Sequence, residues 1–261
     1  MSSEMGEELA ELQRQGFFLI RALYDTSETR SISEAVDALF LDSPPEKRSP
    51  VPGEDQSIRS QRGKVYAARN LHEICPQFDS IWMRPNVCAY LTSILGPQFG
   101  LVRALYFDKH PERTWSLPWH RDRTIAVEDN SLASEDFTKP TLKAGIPHVE
   151  APSWLLKQMV TLRIHLDPVT EDNGPLIVRA GDFEGGSDHA SSADGDTEED
   201  TVSITCDAGD VLVMRPLLLH MSPSSVADSN AHRRIIHMEF SSQQSLPGGF
   251  RWRTFQQPIL T

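Results

Sequence analysis

Two histidines and an aspartate carry the first chemical signal in this chain. His120 and Asp122 stand one residue apart in the stretch Trp115-Ser116-Leu117-Pro118-Trp119-His120-Arg121-Asp122. On a strand, side chains two positions apart share a face, with Cα atoms about 7 Å apart from the roughly 3.3 Å rise per residue. One metal ion can then touch both. A ferrous site for oxygen chemistry uses two imidazoles and one carboxylate on one face of an octahedron, leaving the opposite positions open. His220 is the candidate for the second imidazole. It ends the apolar run 211–219 and is followed by Met221-Ser222-Pro223, which places it at a strand end near the mouth of a barrel. An H-x-D pair alone is a common coincidence, so a further feature has to support it. Arg233 follows His220 by thirteen residues and opens the next strand, where a buried guanidinium can take a carboxylate in bidentate fashion.

The elements that must position these groups follow from length and pattern. A chain of 261 residues with 39% apolar content buries one substantial core, so one domain is expected over 1–261. Segments 7–22 and 27–40 carry apolar residues at helical spacing, with Asp25, Thr26 or Ser27 placed to cap the second. Another helix, 86–95, ends at Gly96-Pro97. Residues 1–98 are thus read as a mostly helical N-terminal part. Residues 41–63 and the acidic stretch 183–201 read as long loops, and 125–151 carries no clear pattern. From 99 to 245 the chain turns to short apolar or alternating runs, at 100–108, 160–167, 175–179, 202–206, 210–214 and 233–241. Turn chemistry such as Glu171-Asp172-Asn173-Gly174 separates them. This suits antiparallel pairing in a mainly β, jelly-roll-like core (a double-stranded β-helix) with the helical region packed on one sheet, followed by a tail at 246–261.

Composition excludes several roles. A formal charge of −12 without clustered Lys and Arg argues against a nucleic-acid surface. No run reaches the roughly eighteen apolar residues of a membrane span, and the opening residues do not resemble an export signal. Cys75, Cys88 and Cys206 form no C-x-x-C pair, and an odd number cannot close a disulfide framework; a reducing cytoplasm fits best. A small molecule is the expected partner, and oligomeric state is not legible.

The chain resembles the phytanoyl-CoA dioxygenase family of iron(II)/2-oxoglutarate oxygenases. The resemblance rests on Gly16-Phe17-Phe18 with its following apolar strand, Tyr106-Phe107-Asp108-Lys109, Trp119-His120-Arg121-Asp122, the stretch 162–167 leading to Glu171-Asp172-Asn173-Gly174-Pro175-Leu176, Ala208-Gly209-Asp210, and His220 with Ser222, in the family's order. It implies a cupin-like fold in which iron(II) is bound by His120, Asp122 and His220. It further implies that Arg233 takes the distal carboxylate of the co-substrate 2-oxoglutarate, assisted by Ser222. Dioxygen is the other co-substrate, hydroxylation of an unactivated C–H bond the default outcome, and succinate and CO2 the by-products. Asp122 also argues against a halogenase, in which a small residue at this position makes room for chloride.

Strand register assigns further residues. Of the pair Arg233-Arg234 one must point away, and the family's spacing favours Arg233 inward with Ile235, His237 and Glu239, leaving Arg234, Ile236, Met238 and Phe240 on the helix-backed face. The same parity puts Val160, Leu162, Ile164 and Leu166 against the helices and Thr161, Arg163, His165 and Asp167 inward. Thr161, Tyr106 and Lys109 are counted as co-substrate contacts. Arg163, with His237 or Arg69 nearby, is expected to pair with an anionic group of the primary substrate. Trp115 and Trp119 are expected to pack beside the site, and His110, His148 and His189 to be solvated. Two rival readings stand beside the oxygenase: a cupin-like metal hydrolase or isomerase, which would not need Arg233, and a non-catalytic ligand-binding protein on the same fold.

Overall fold

The computed structural model describes residues 2–41, 58–61, 64–185, 200–226 and 229–259. Helix α1 (Ser2–Gln15) ends at Gly16, whose φ of 86° is in the left-handed region and whose added Cβ would meet the Phe183 ring at 2.6 Å. The chain leaves the helix there and enters strand β1 (Phe17–Ile20). Helical periodicity through residue 22 is therefore overridden, because four successive apolar residues bury both faces of a strand. Helix α2 (Thr26–Leu41) starts with a reciprocal cap: Asp25 Oδ1 accepts from the Glu28 amide and Glu28 Oε2 from the Asp25 amide, each at 2.8 Å. Helices α3 (Leu71–Ile74), α4 (Phe78–Trp82) and α5 (Pro85–Leu95) complete the N-terminal layer, the last opening on proline and stopping at Gly96 as expected.

The large sheet contains β1, β2 (Ile58–Gln61), β3 (Lys64–Arg69), β4 (Gly100–Lys109), β9 (Met159–His165), β12 (Val211–Met214) and β14 (Arg233–Ser241), in the order β1-β12-β9-β14-β4-β3-β2 and antiparallel at each pairing. The expected N-terminal helical part thus also supplies three strands, one of which, β2, comes from the end of the segment read as loop. The smaller sheet has the order β11-β10-β13-β5, built from β5 (Leu117–His120), β10 (Leu176–Arg179), β11 (Thr201–Ile204) and β13 (His220–Ser222). Within 125–151, where no pattern was legible, lie most of β6 (Thr124–Ala126) and all of β7 (Thr138–Lys143) and β8 (Ile146–Glu150), forming a third sheet in the order β6-β8-β7. A short α6 (Ser153–Leu156) leads back into β9. The double-stranded β-helix core and the helical layer on one sheet are as expected. Most of the acidic segment 183–201 lies outside the described residues, as do 42–57 and His189.

The helices bury the outer face of the large sheet. Val160, Leu162, Ile164, Ile236, Met238 and Phe240 meet Val36, Phe78 and Trp82 there, each at most 1% exposed. Trp82 and Phe99 meet Phe240 edge-on at 5.4 and 6.2 Å between ring centres. Between the sheets a smaller cluster, including Phe17, Leu176, Val178, Leu212 and Leu218, plugs one end. Beyond it the inter-sheet space is lined by polar and apolar side chains together, among them Arg163, Arg233 and His237 with Leu105, Phe107 and Ile235. The C-terminal tail is held rather than free: Gln256 bridges to Leu101 and Trp252 to Val127. Cys75, Cys88 and Cys206 are buried free thiols, and no described helix is long and apolar enough to cross a membrane.

Candidate active site

Strands β5 and β13 are neighbours, and their register sets His120 directly opposite His220. The two rings lie 4.2 Å apart between centres. Each ring uses Nδ1 on a carbonyl two residues back: His120 donates to Pro118 O at 2.7 Å and His220 to Leu218 O at 2.8 Å. With Nδ1 protonated and occupied, Nε2 of both rings carries the free lone pair a metal needs. Asp122 is not on the strand, as the H-x-D spacing suggested; β5 ends at His120. Its amide donates to Pro216 O at 2.9 Å, and its Oδ2 reaches within 3.8 Å of His220 Nε2. One donor atom from each of the three residues lies within 4.8 Å of the others. Burial opposes the charge on Asp122, but His220, His237, His120 and Arg103 hold its carboxyl well below the usual carboxylate range. Burial pushes His220 down to about 4. Two imidazoles offering Nε2 and an ionised carboxylate are the ligand set of a divalent first-row metal, and a His120-Asp122-His220 metal site is present.

A small cavity of about 100 Å³ contains this triad and, on the large-sheet side, Arg163, Arg233 and His237, with Ser222 beside His220. Register decides between the adjacent arginines as expected. Arg234 turns outward and grips Asp167 through Nε and Nη2 at 2.9 and 2.8 Å, with Asp37 beyond it. Asp167 is consequently not inward: β9 ends at His165, and the alternation ends with it. Arg233 is 4% exposed and has no carboxylate or carbonyl partner among the described residues; its Nε is a buried donor without an acceptor. Burial, then Arg163 beside it, pushes its guanidinium down to about 9. A buried, unpaired guanidinium is costly unless a ligand carries the counter-charge.

Lys109 is fully buried under this wall. Its Nζ donates to Ser222 Oγ at 2.6 Å and to Pro223 O, while Ser222 Oγ donates to Gly174 O at 3.1 Å. Gly174 takes a φ of 73° after a capped 3-10 turn at Glu171–Asn173, and a Cβ there would meet Pro223 O at 2.6 Å. The Asp-Asn-Gly turn thus fixes Ser222, and through it the end of β13. Burial, then Arg233 and Arg163, pushes the Lys109 amine down to about 6.

Tyr106 is a correction. It is paired with Ile236 and stacks on Phe40 at 5.0 Å in the helix layer, away from the cavity. Tyr106 and Lys109 lie three apart on one strand and cannot share a face, which the parity rule itself would have shown. Thr161 is inward-facing but sits level with Glu239, outside the cavity lining, its buried hydroxyl unpartnered. Arg163 contacts His237 Nδ1 at 3.4 Å, His237 Nε2 meets Glu239 at 3.1 Å, and Glu239 pairs with Arg103, so four buried groups form one chain behind the metal site. Arg69 does not join them. It lines a wider chamber of about 480 Å³ on the other side of His120 and Asp122, together with Arg59, Arg103, Arg113 and Lys143. Sequence reasoning missed all four of these partners; alternation along β4 from Lys109 back to Arg103 would have found one. Trp115 does flank the site, lining both cavities. His110 and His148 are buried, not solvated, at 1% and 2% exposed.

Residues 12–235 match the family model of phytanoyl-CoA dioxygenase. Solved structures with the same fold include AviO1 from Streptomyces viridochromogenes Tue57, 19% identical with a TM-score of 0.61 over 93% of this chain and 97% of that one. EctD from S. alaskensis with bound Fe is 14% identical with a TM-score of 0.65, over 90% of this chain and 75% of that one. HygX from Streptomyces hygroscopicus, solved with nickel and 2-oxoglutarate, is 14% identical with a TM-score of 0.60, over 90% of this chain and 86% of that one. None of the curated proteins matches the chain significantly. The chain belongs to the phytanoyl-CoA dioxygenase family of iron(II)- and 2-oxoglutarate-dependent oxygenases.

Proposed function

We propose that this family member hydroxylates an unactivated C–H bond of a small anionic metabolite, with 2-oxoglutarate anchored at its far carboxylate by Arg233. The observation that carries the reading is Arg233 itself, buried without a partner among the described residues and opening into the same small cavity as the three metal ligands. A dicarboxylate held there answers an otherwise unpaired charge with a bidentate ion pair. Ser222 supplies a hydroxyl at the same end, positioned by Lys109 and Gly174. Arg163 adds a second cation to this wall, and its link to His237 fixes both rotamers. The bound metal supplies dioxygen activation coupled to oxidative decarboxylation of 2-oxoglutarate. In the balanced reaction one oxygen atom enters the substrate as hydroxyl and the other enters succinate, with loss of CO2. The chain's own part is to orient and to keep bulk water out, with Leu105, Phe107 and Ile235 forming the apolar side of the cavity. Three buried free thiols fit work in a reducing compartment such as the cytoplasm.

Anaerobic addition of iron(II) and then 2-oxoglutarate to the full chain should produce the visible charge-transfer band of a chelated 2-oxo acid. A well-folded protein that binds iron(II) yet shows no such band with 2-oxoglutarate would sink the co-substrate assignment.

A further inference from the structure

The chamber outside the metal centre is unlike the rest of this acidic protein. Leu105, Phe107, Trp115 and Leu117 line both it and the inner cavity, so an apolar wall runs past His120 and Asp122. Arg59, Arg69, Arg113 and Lys143 line the chamber alone. The two carboxylates that act on Lys143, one of which also acts on Arg69, are already committed, Asp122 to the metal site and Glu239 to Arg103. Among the described residues, Arg59 and Arg69 have no carboxylate partner. Arg113 lies over the Tyr66 ring at 5.0 Å, and Lys143 donates to Thr124 Oγ1 at 2.7 Å. The cations also crowd one another. Burial and then Arg103 and Arg59 push Arg69 down to about 10, and burial and then Arg103 and Arg69 push Lys143 down to about 8. Four positive groups facing one chamber, with no carboxylate paired to them among the described residues, form a built site for a multiply charged anion. A chamber of about 480 Å³ has room for a metabolite-sized molecule.

We infer that the primary substrate carries a dianionic group, a phosphate monoester or a pair of carboxylates, bound by Arg69 and Lys143 with Arg59 and Arg113 around them. The C–H bond that is oxidised then lies on an apolar part of the same molecule, resting on Leu105, Phe107 and Leu117 beside the metal ligands. Charge supplies affinity at one end, and an uncharged wall leaves the reacting carbon to be placed by shape at the other. This inference rests on the oxygenase reading above.

The test uses the full chain with iron(II) and 2-oxoglutarate under anaerobic conditions and four probes sharing one ring: phenyl phosphate, phthalate, benzoate and benzyl alcohol. Calorimetry should show at least one dianion binding roughly tenfold tighter than benzoate and roughly 100-fold tighter than benzyl alcohol, on the basis of about tenfold per added charge-assisted contact. Preference for phenyl phosphate identifies a phosphate monoester, and preference for phthalate a dicarboxylate. Arg69→Gln and Lys143→Gln should each weaken the preferred dianion about tenfold, and Arg69→Lys should restore part of the loss. If the charge-transfer band forms but benzoate binds as tightly as both dianions, or neither Gln variant weakens the dianion, the substrate inference fails alone. If the band never forms, the oxygenase reading fails and takes this inference with it. The probe series on the unmodified protein decides the matter even where a variant does not fold.

Discussion

Strand β14 separates two unlike regions. On one side Ile236, Met238 and Phe240 meet the helices in a dry layer; on the other Arg233, Ile235 and His237 face the metal cavity. The dry face is made stable by burial and tolerates no loss of volume. The cavity face is the reverse: Arg233 Nε and Arg163 Nε are buried without partners among the described residues, so it carries a cost that ligands remove. One backbone thus holds a region optimised without ligand and a region completed by one. Stability and function can therefore be damaged separately by substitutions one residue apart.

The largest expected effect is on the wet side. His220→Ala removes a metal ligand, and 2-oxoglutarate turnover should fall beyond the roughly 100-fold that loss of an outer partner costs, with the melting temperature of the metal-free protein changing little. Retained turnover would show that the metal lies elsewhere. On the dry side, Phe240→Ala should cost about 3–5 kcal/mol of stability, lowering the melting temperature by roughly 10 °C, because both Trp82 and Phe99 lose their ring partner. Arg233→Leu should raise the KM for 2-oxoglutarate roughly 100-fold, the loss of a charge-assisted pair, while urea denaturation of the ligand-free protein shows equal or greater stability. A KM within a factor of three of the original would end the anchoring role.

A pH effect sharpens the same contrast. Burial pushes His148 down to about 4 from an ordinary 6.5, so between these values the unfolded chain holds a proton that the folded one does not. Stability should fall as pH drops through this window and be fully present above it. His148→Gln should reduce that fall by on the order of 2 kcal/mol between pH 6.5 and 4.5, read from urea midpoints of the metal-free protein. The smallest effect belongs to Arg234→Leu. Its ion pair with Asp167 is partly exposed, so about 1 kcal/mol of stability should be lost, and the KM for 2-oxoglutarate should stay within a factor of two.

The sequence was most legible where alternation was strict. Arg-x-Ile-x-His-x-Glu on one face against Arg-x-Ile-x-Met-x-Phe on the other permits one register for β14, and β9 obeys the same parity up to His165. It became illegible where pairing, not side-chain pattern, makes the strand. Strand β7, Thr-Lys-Pro-Thr-Leu-Lys, is exposed along most of its length and contains Pro140, tolerated because it lies at a sheet edge, so nothing local distinguishes it from a loop. Lys143, which ends that strand, was invisible as a site residue for the same reason. The metal ligands were legible as residue types, and their convergence was not: His120 meets His220 through a cross-strand pair separated by a hundred residues.

That pairing of β5 with β13 has a consequence for the lifetime of the fold. Strands of four and three residues joined at two registered positions hold few amide bonds, and a divalent ion on His120, Asp122 and His220 works as a clasp across them. Opening of the small sheet, read as amide hydrogen exchange, then becomes a function of free iron, slowed by about 2.7 kcal/mol at a hundredfold excess over Kd. Metal supply would then set how long the protein survives proteolysis as well as how fast it works.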